Sequence, residues 1–447
     1  MSVLAARGCR VSSDVSIWRS REAFSKYRTS VHGDQEPLPS TFLLVATMQA
    51  SVTVLRRPWA CTSRRGTARR LYSAGSSAKN PPAPPSSGAA KLTTRRLIHI
   101  QGQEAPKFLQ GIITNNVKPE SRTGFYAAFL TAQGKVLNDV FVYPTTGSSW
   151  SNSDEYGYLV EADGDQASPL LAHLKRHKLR AKLAIRLLDE GELNVWSAWK
   201  ADEKWTPHSS TFGSTGEGSG PEEGLLGMID TRATNMGQRL LLPSTSDHSS
   251  PLKAYKSLES LEEAPLSAYT IRRYLRGVPE GQKEIPRDNT FPMNSDIDVM
   301  DGIDFKKGCY LGQELTIRTH HTGVVRRRVL PVSLYHASEG PPEKLEYKSD
   351  SSFGPLAQDT DIKILSKRGR PGKWIAGVGN VGLAMCRIEM MTDMTVSSEP
   401  STFSPDDKFV IQASEDGGEG QEVGVKAFLP DWLRGRIRGP KVQRRVE

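Results

Sequence analysis

Apolar residues recur along the middle of this chain in two periods, and each period marks a different element. Leu97-Ile98-His99-Ile100 is a short strand. Across residues 104–116, Phe108, Leu109, Ile112 and Ile113 return at helical spacing and predict an amphipathic helix. Residues 125–130 and 136–143 flank Ala132-Gln133-Gly134, the pattern of a hairpin. Strict alternation puts Leu137, Asp139, Phe141 and Tyr143 on one face of its second strand. An aspartate in such a row is either exposed at the rim of the sheet or deliberately placed, and rim exposure is the expectation.

Ser168-Pro169 supplies a cap and a first-turn proline for a helix running to Arg180. His173 and His177 stand four apart on it, a spacing that can chelate a metal. Lys175, Arg176, Lys178 and Arg180 surround them and repel a cation, so the stretch reads as a solvated basic face. Strands are expected over 183–188 and 193–199, and again at 240–242 after Asp230-Thr231-Arg232 and Gly237-Gln238-Arg239. Residues 269–276 predict a short helix closed by Gly277. Beyond Val329, short apolar runs alternate with polar loops at 338–353, 366–373 and 392–408, which suits an antiparallel barrel. Cys386 falls in an apolar run there and reads as structural.

Composition changes this picture at the ends. The net charge of the 447 residues is +9, yet the first 96 hold 16 Lys and Arg against 4 acids. The remaining 351 residues carry 43 basic and 46 acidic groups, which gives no charge argument for nucleic acid. No acidic residue occurs over 37–96, while Arg56, Arg57, Arg64, Arg65, Arg69 and Arg70 stand among Ser, Thr and Ala. That is the composition of a mitochondrial transit peptide, with a cleavage site expected near Tyr72. Pro81-Pro82-Ala83-Pro84-Pro85-Ser86-Ser87-Gly88 then reads as a linker. Met48 directly precedes this pattern, so the first 47 residues read as an upstream extension.

The expected domains are therefore a leader and linker over 1–90, a first α+β domain over 91–200 and a Ser/Gly/Glu-rich insertion over 201–225. A second α+β domain over 226–330, a barrel over 331–433 and a disordered basic tail over 434–447 complete the chain. The apolar runs are too short to span a membrane. Four cysteines (Cys9, Cys61, Cys309, Cys386) at no paired spacing argue against a disulfide framework and for a reducing compartment. Two body cysteines cannot ligate a whole iron–sulfur cluster.

The chemistry concentrates in Lys307-Gly308-Cys309-Tyr310-Leu311-Gly312-Gln313-Glu314. A thiol lies between two glycines, with Lys306 and Lys307 before it; neighbouring cations favour the thiolate, the form that binds metal or attacks. The bland alternative is a small buried hydrophobe. Lys307, Gly308, Tyr310, Gln313, Glu314 and Arg318 are the candidate ligand-binding residues around it, with Arg318 placed to orient Glu314.

Phe305-Lys306-Lys307-Gly308-Cys309-Tyr310-Leu311-Gly312-Gln313-Glu314, with Arg318 and Gly323, resembles the signature of the folate-binding-like iron–sulfur maturation proteins, relatives of the glycine-cleavage aminomethyltransferase. Weaker pieces agree in order: Phe108-Leu109-Gln110-Gly111-Ile112-Ile113-Thr114-Asn115-Asn116, Val278-Pro279-Glu280-Gly281, Phe291-Pro292-Met293, Gly377-Val378-Gly379-Asn380 and Gly382-Leu383-Ala384-Met385-Cys386-Arg387.

The resemblance implies an α+β fold, a ring of two α+β domains plus a C-terminal antiparallel β-barrel around a central opening that binds tetrahydrofolate in the transferases. It also implies late maturation of [4Fe-4S] enzymes such as aconitase and the radical enzyme that makes lipoate, in the mitochondrial matrix. Two positions depart from transferase chemistry. Asn138-Asp139 stands where the transferase has two carboxylates, and Arg273-Tyr274-Leu275-Arg276-Gly277 has Leu in place of the folate-binding Glu. A leucine accepts no hydrogen bond from a pterin.

The mechanism so implied gives Cys309 as one ligand of a cluster shared with an A-type iron–sulfur scaffold protein. Two other readings stay open: a tetrahydrofolate-dependent one-carbon transferase with Asp139 as base, and an RNA-associated factor using the Arg-rich tail.

Overall fold

A computed structural model of the 447-residue chain describes residues 80–146, 148–150, 155–200, 225–244, 250–351, 353–354, 356–399, 401–413 and 422–439. The expected leader and most of the 201–225 insertion lie outside the described residues.

The elements, in chain order, are β1 (Gly88–Lys91), β2 (Arg95–Gln101), α1 (Ala105–Ile112), β3 (Phe125–Leu130), β4 (Val136–Pro144), β5 (Gly157–Asp163), α2 (Ala167–Lys178), β6 (Ala184–Leu187) and β7 (Asn194–Trp199). Then come β8 (Leu226–Ile229), β9 (Gln238–Leu242), α3 (Leu266–Arg276) and α4 (Gln313–Thr322). The last part holds β10 (Arg327–His336), β11 (Asp361–Ile364), β12 (Gly372–Val378), β13 (Val381–Arg387), α5 (Ile388–Met391), β14 (Phe409–Gln412), β15 (Glu422–Ala427) and α6 (Asp431–Arg434).

Three sheets result. One has the order β3-β4-β5-β2-β6, a second β1-β7-β9-β8, and the third is a closed barrel β10-β13-β12-β11-β14-β15. The second sheet joins β1 and β7 to β8 and β9, so the division expected at 201–225 does not separate the sheets. Sheet one uses 95–187, and sheet two takes strands from both sides of the insertion. The apolar faces explain this. Leu97, Tyr126, Phe141, Trp199, Leu241 and Tyr269 belong to one core shared by both sheets and α3. The residues read as a linker also join the fold. Pro85 O accepts from Trp199 Nε1 (3.0 Å), Pro81 O accepts from Tyr347 Oη (2.6 Å), and Gly88 opens β1 against Trp199.

The hairpin forms as expected, but alternation fails inside it. The β3–β4 register shifts between Phe129 and Leu130, pairing Phe129 with Asn138 and Leu130 with Val136. Leu137 is the unpaired bulge residue, and a bulge moves a side chain to the other face. Leu137 accordingly packs with Val140 and Val142, while Val136 joins Phe141 and Tyr143.

Helix bounds differ modestly. α1 begins one residue before Pro106, where proline's missing N–H is harmless. α2 starts ahead of Ser168, with Gln166 at its cap and no side-chain cap bond. α3 ends as expected at Gly277, in the left-handed conformation at φ 71°. On α2, the His173 and His177 rings lie 4.2 Å apart in a tilted contact, and burial pulls the His173 imidazole down to about 4.

Cys386 lies wholly inside the barrel. The start of the tail is not detached, since Arg434 pairs with Asp393 (2.6 Å) and Arg436 with Asp301 (3.2 Å), while Arg438 donates to His320 O (3.1 Å). No helix among the described residues is long and apolar enough to cross a membrane.

Candidate functional site

The Cys309 stretch and the 108–116 segment meet in space. Phe108 to Asn116 forms α1 and the turn after it, and the chain from Ile303 to Gly312 is laid across that turn. Thr114 accepts from the Asp304 backbone N–H (3.1 Å) and donates its hydroxyl to Gly302 O (2.6 Å). Asn115 Nδ2 donates to Asp301 O and to Tyr126 O, both at 2.8 Å. Leu311 N–H donates to Gly111 O at 3.0 Å. Gln110 holds the turn closed from its own side, donating to Asn116 and accepting from the Val117 N–H.

Lys307 is the latch of this arrangement. Its ammonium donates to three backbone carbonyls, Gln110 O (2.9 Å), Ile113 O (2.7 Å) and Asn115 O (2.8 Å). Helix ends leave carbonyls unsatisfied, and a cation there also complements the helix dipole. The same ammonium lies 4.9 Å from the centre of the Tyr310 ring. Burial pulls its pKa down to about 8, with Asp304 opposing. The sequence reading gave Lys307 the task of favouring the Cys309 thiolate. With all three hydrogens engaged on carbonyls, Lys307 instead fixes the backbone that presents the thiol.

Cys309 itself is exposed and unpaired. Lys306 is exposed beside it, and Gly308 has nothing within 4 Å of where a Cβ would sit. Gly308 therefore leaves open space at the thiol rather than allowing a close approach within the chain. Gly312 does make a close approach. It has φ 80°, and a Cβ there would lie 2.2 Å from Thr131 O. Tyr310 is buried, and Gln313 turns back to accept from the Tyr310 N–H (3.2 Å). Glu314 and Arg318 are exposed on α4, and among the described residues neither makes an ion pair. Gln313 and Tyr310 act as supports, and Glu314 and Arg318 as free surface.

Asp139 corrects the rim expectation outright, being 0 % exposed. Its Oδ1 accepts from the Gly281 N–H (3.1 Å) and Gln282 Nε2 (3.0 Å), and its Oδ2 lies 3.5 Å from Arg95 Nη1. Next to it lies a buried ionic network that the sequence reading missed. Glu161 accepts from Arg95 Nε (2.7 Å), Tyr143 Oη (2.6 Å) and Arg239. Glu280 accepts from Tyr269 Oη (2.6 Å) and Arg239 (3.0 Å), with Arg232 at 2.9 Å; Arg232 is also held by Asp230.

Burial pushes the Glu280 carboxyl up, but Arg239, Arg232 and Arg95 overcome this and hold it well below the usual carboxylate range. The available signal was Arg95, Glu161 and Arg239 standing within apolar strands. A folate ligand does not fit these residues. The one carboxylate matching the transferase base is sealed, and Leu275 offers no acceptor.

Among the described residues, no group of three or more His, Cys, Asp or Glu is placed to hold a metal ion. The chain there offers one exposed sulfur.

Comparison with known proteins follows the same lines. Residues 326–435 match the CAF17 C-terminal beta-barrel domain. A mitochondrial iron–sulfur cluster assembly factor IBA57 homolog of Aspergillus oryzae is 43% identical over 377 residues, covering 79% of this chain and 83% of its own. The Pyricularia oryzae homolog is 46% identical over 355 residues, covering 78% and 85%. The chain belongs to the IBA57 family. A homolog from Coccidioides immitis extends the match to 84% of this chain at 42% identity. The IBA57 fold is aminomethyltransferase-like. The glycine cleavage system aminomethyltransferase T from Bartonella henselae superposes with a TM-score of 0.52 at 13% identity, over 79% of this chain and 88% of that one. Membership makes this a mitochondrial iron–sulfur cluster assembly factor.

Proposed function

We propose that this factor works in the mitochondrial matrix, late in the maturation of [4Fe-4S] proteins, and that Cys309 is its working atom. The thiol loses its proton and coordinates iron of a cluster held jointly with an A-type scaffold protein. That cluster is cargo bound for client enzymes such as aconitase and lipoate synthase. The observation that carries this reading is the presentation of Cys309. The thiol is exposed beside open space at Gly308, on a segment that Lys307 and Leu311 pin to α1. A rigid mount lowers the ordering cost of joining a partner, and soft thiolate suits iron.

The transferase alternative is not favoured, because Asp139 is buried and engaged. The RNA reading draws no support either, since Arg434, Arg436 and Arg438 face chain partners. The experiment is complementation of factor-deficient mitochondria with full-length Cys309→Ala. Loss of aconitase activity at normal protein level is expected, and full activity would overturn the reading.

A further inference from the structure

One face of α4 borders a groove of ≈ 330 Å³ whose floor and walls are largely apolar. Phe291 and Pro292 come from the turn before the thiol segment, Leu315 from α4, and Val324 and Val325 from the connection to the barrel. Val324 is 47% exposed, one of few large apolar side chains so open to water in the described residues. Isolated exposed apolar residues need no explanation, but this one lines a groove with apolar neighbours.

The electrostatics around it are one-sided. Arg327 lines the groove on β10 and pairs in register with Arg387 on β13. Both are exposed, and side chains opposite each other across a ladder share a face. Like charges directly opposite are destabilising. Among the described residues neither arginine makes an ion pair. Their neighbour Arg326 does, with Glu399 at 2.8 Å. The uncompensated pair is therefore a standing cost that an anionic group would relieve.

The groove also lies along the helix that follows the thiol. From Gln313 to Thr319, which lines the groove, α4 advances about 9 Å. A molecule seated in the groove lies beside the helix whose N-terminal side carries Cys309.

We propose that this groove docks an acidic amphipathic segment of the protein that shares the cluster. A bulky apolar side chain enters between Leu315 and Val324, and carboxylates beside it neutralise Arg327 and Arg387. This rests on the Cys309 reading for its purpose but not for its test. Apolar insertion supplies affinity, and complementary rim charge sets partner choice and on-rate.

The test uses the full-length protein and two synthetic peptides of about 18 residues, long enough to hold a docked helix. One carries leucines on one face flanked by glutamates; the other has lysines in their place. Fluorescence anisotropy should show that the acidic peptide binds, that added salt weakens it, and that the basic peptide does not bind. Arg327→Glu, Arg387→Glu and Val324→Asp should each weaken the acidic peptide about tenfold, while Arg327→Lys retains binding. Circular dichroism verifies that the variants are folded.

Equal binding of both peptides, no binding of either, or indifference to the arginine reversals would overturn the proposal. A protein dimer dissociated by Val324→Asp, with the peptide ignored, would assign the groove to a second copy and overturn it too. Cys309→Ala should leave peptide binding unchanged. If that variant still matures aconitase while the arginine variants lose the peptide, the groove stands and the cluster reading alone falls.

Discussion

Gly312 and Gly134 abut. A Cβ on Gly134 would lie 2.9 Å from Gly312 O, and one on Gly312 would lie 3.3 Å from Gly134 Cα. The hairpin turn between β3 and β4 thereby sets the position from which α4 departs, three residues after Cys309. Two left-handed glycines are needed, at φ 81° and φ 80°. Gly312→Ala adds left-handed strain of about 1–2 kcal/mol and a clash with Thr131 O. Denaturant unfolding should show about 3 kcal/mol lost in total. Gly308→Ala, in open space, should stay within about 0.5 kcal/mol of wild type.

Lys307 offers a second prediction. Replacing it by Met leaves three carbonyls without their charged donor, and such bonds contribute about 1.5–3 kcal/mol. Stability should fall by roughly that amount. Lys307→Arg should not restore it, because a planar fork cannot converge on three carbonyls at one point. Hydrogen exchange at the end of α1 would locate the loosening.

The buried network predicts a contrast between two carboxylates. Glu161→Gln leaves Arg95 and Arg239 short of charge in the core and should cost about 3–5 kcal/mol. Asp139→Asn keeps an acceptor for Gly281 and Gln282 and loses only the longer 3.5 Å pairing with Arg95, which Glu161 still pairs, so it should cost less, about 1–3 kcal/mol. Once folded, Asp139→Asn should mature aconitase normally. Loss of maturation in soluble, folded Asp139→Asn would bring the transferase alternative back.

These contrasts also mark what the chain's pattern could and could not reveal. The helix at Phe108–Ile112, the hairpin and the barrel texture were legible because apolar period alone specifies them. The Cys309 stretch stands out in the sequence because a thiol between glycines is chemically unusual. Leu137 was misplaced because a bulge leaves no mark in an alternating sequence. Asp139 was misplaced because its partners, Gly281 and Gln282, lie more than 140 residues on. The task of Lys307 escaped for the same reason, since its acceptors lie on α1 and the turn after it, nearly 200 residues earlier. Charged residues in strands were visible, but only the fold brings them together.

Asp296 supplies a pH dependence. Burial raises its carboxyl to about 7, with Arg328 opposing and Asp298 adding to the rise. The folded form then binds the proton more tightly than the unfolded chain does. Between about pH 4 and pH 7 the folded state carries the extra proton, so stability falls as pH rises through that window. Asp296→Asn should flatten this slope in denaturant midpoints taken at each pH. A slope unchanged by the substitution would contradict the assignment.

The most direct test of the central claim is anaerobic reconstitution of the full-length protein with the A-type scaffold partner, comparing wild type with Cys309→Ala by iron and sulfide content and visible spectrum. A joint complex that carries cluster with the wild-type thiol and fails to carry it without is expected. Equal iron and sulfide, with superimposable spectra for the two proteins, would contradict it.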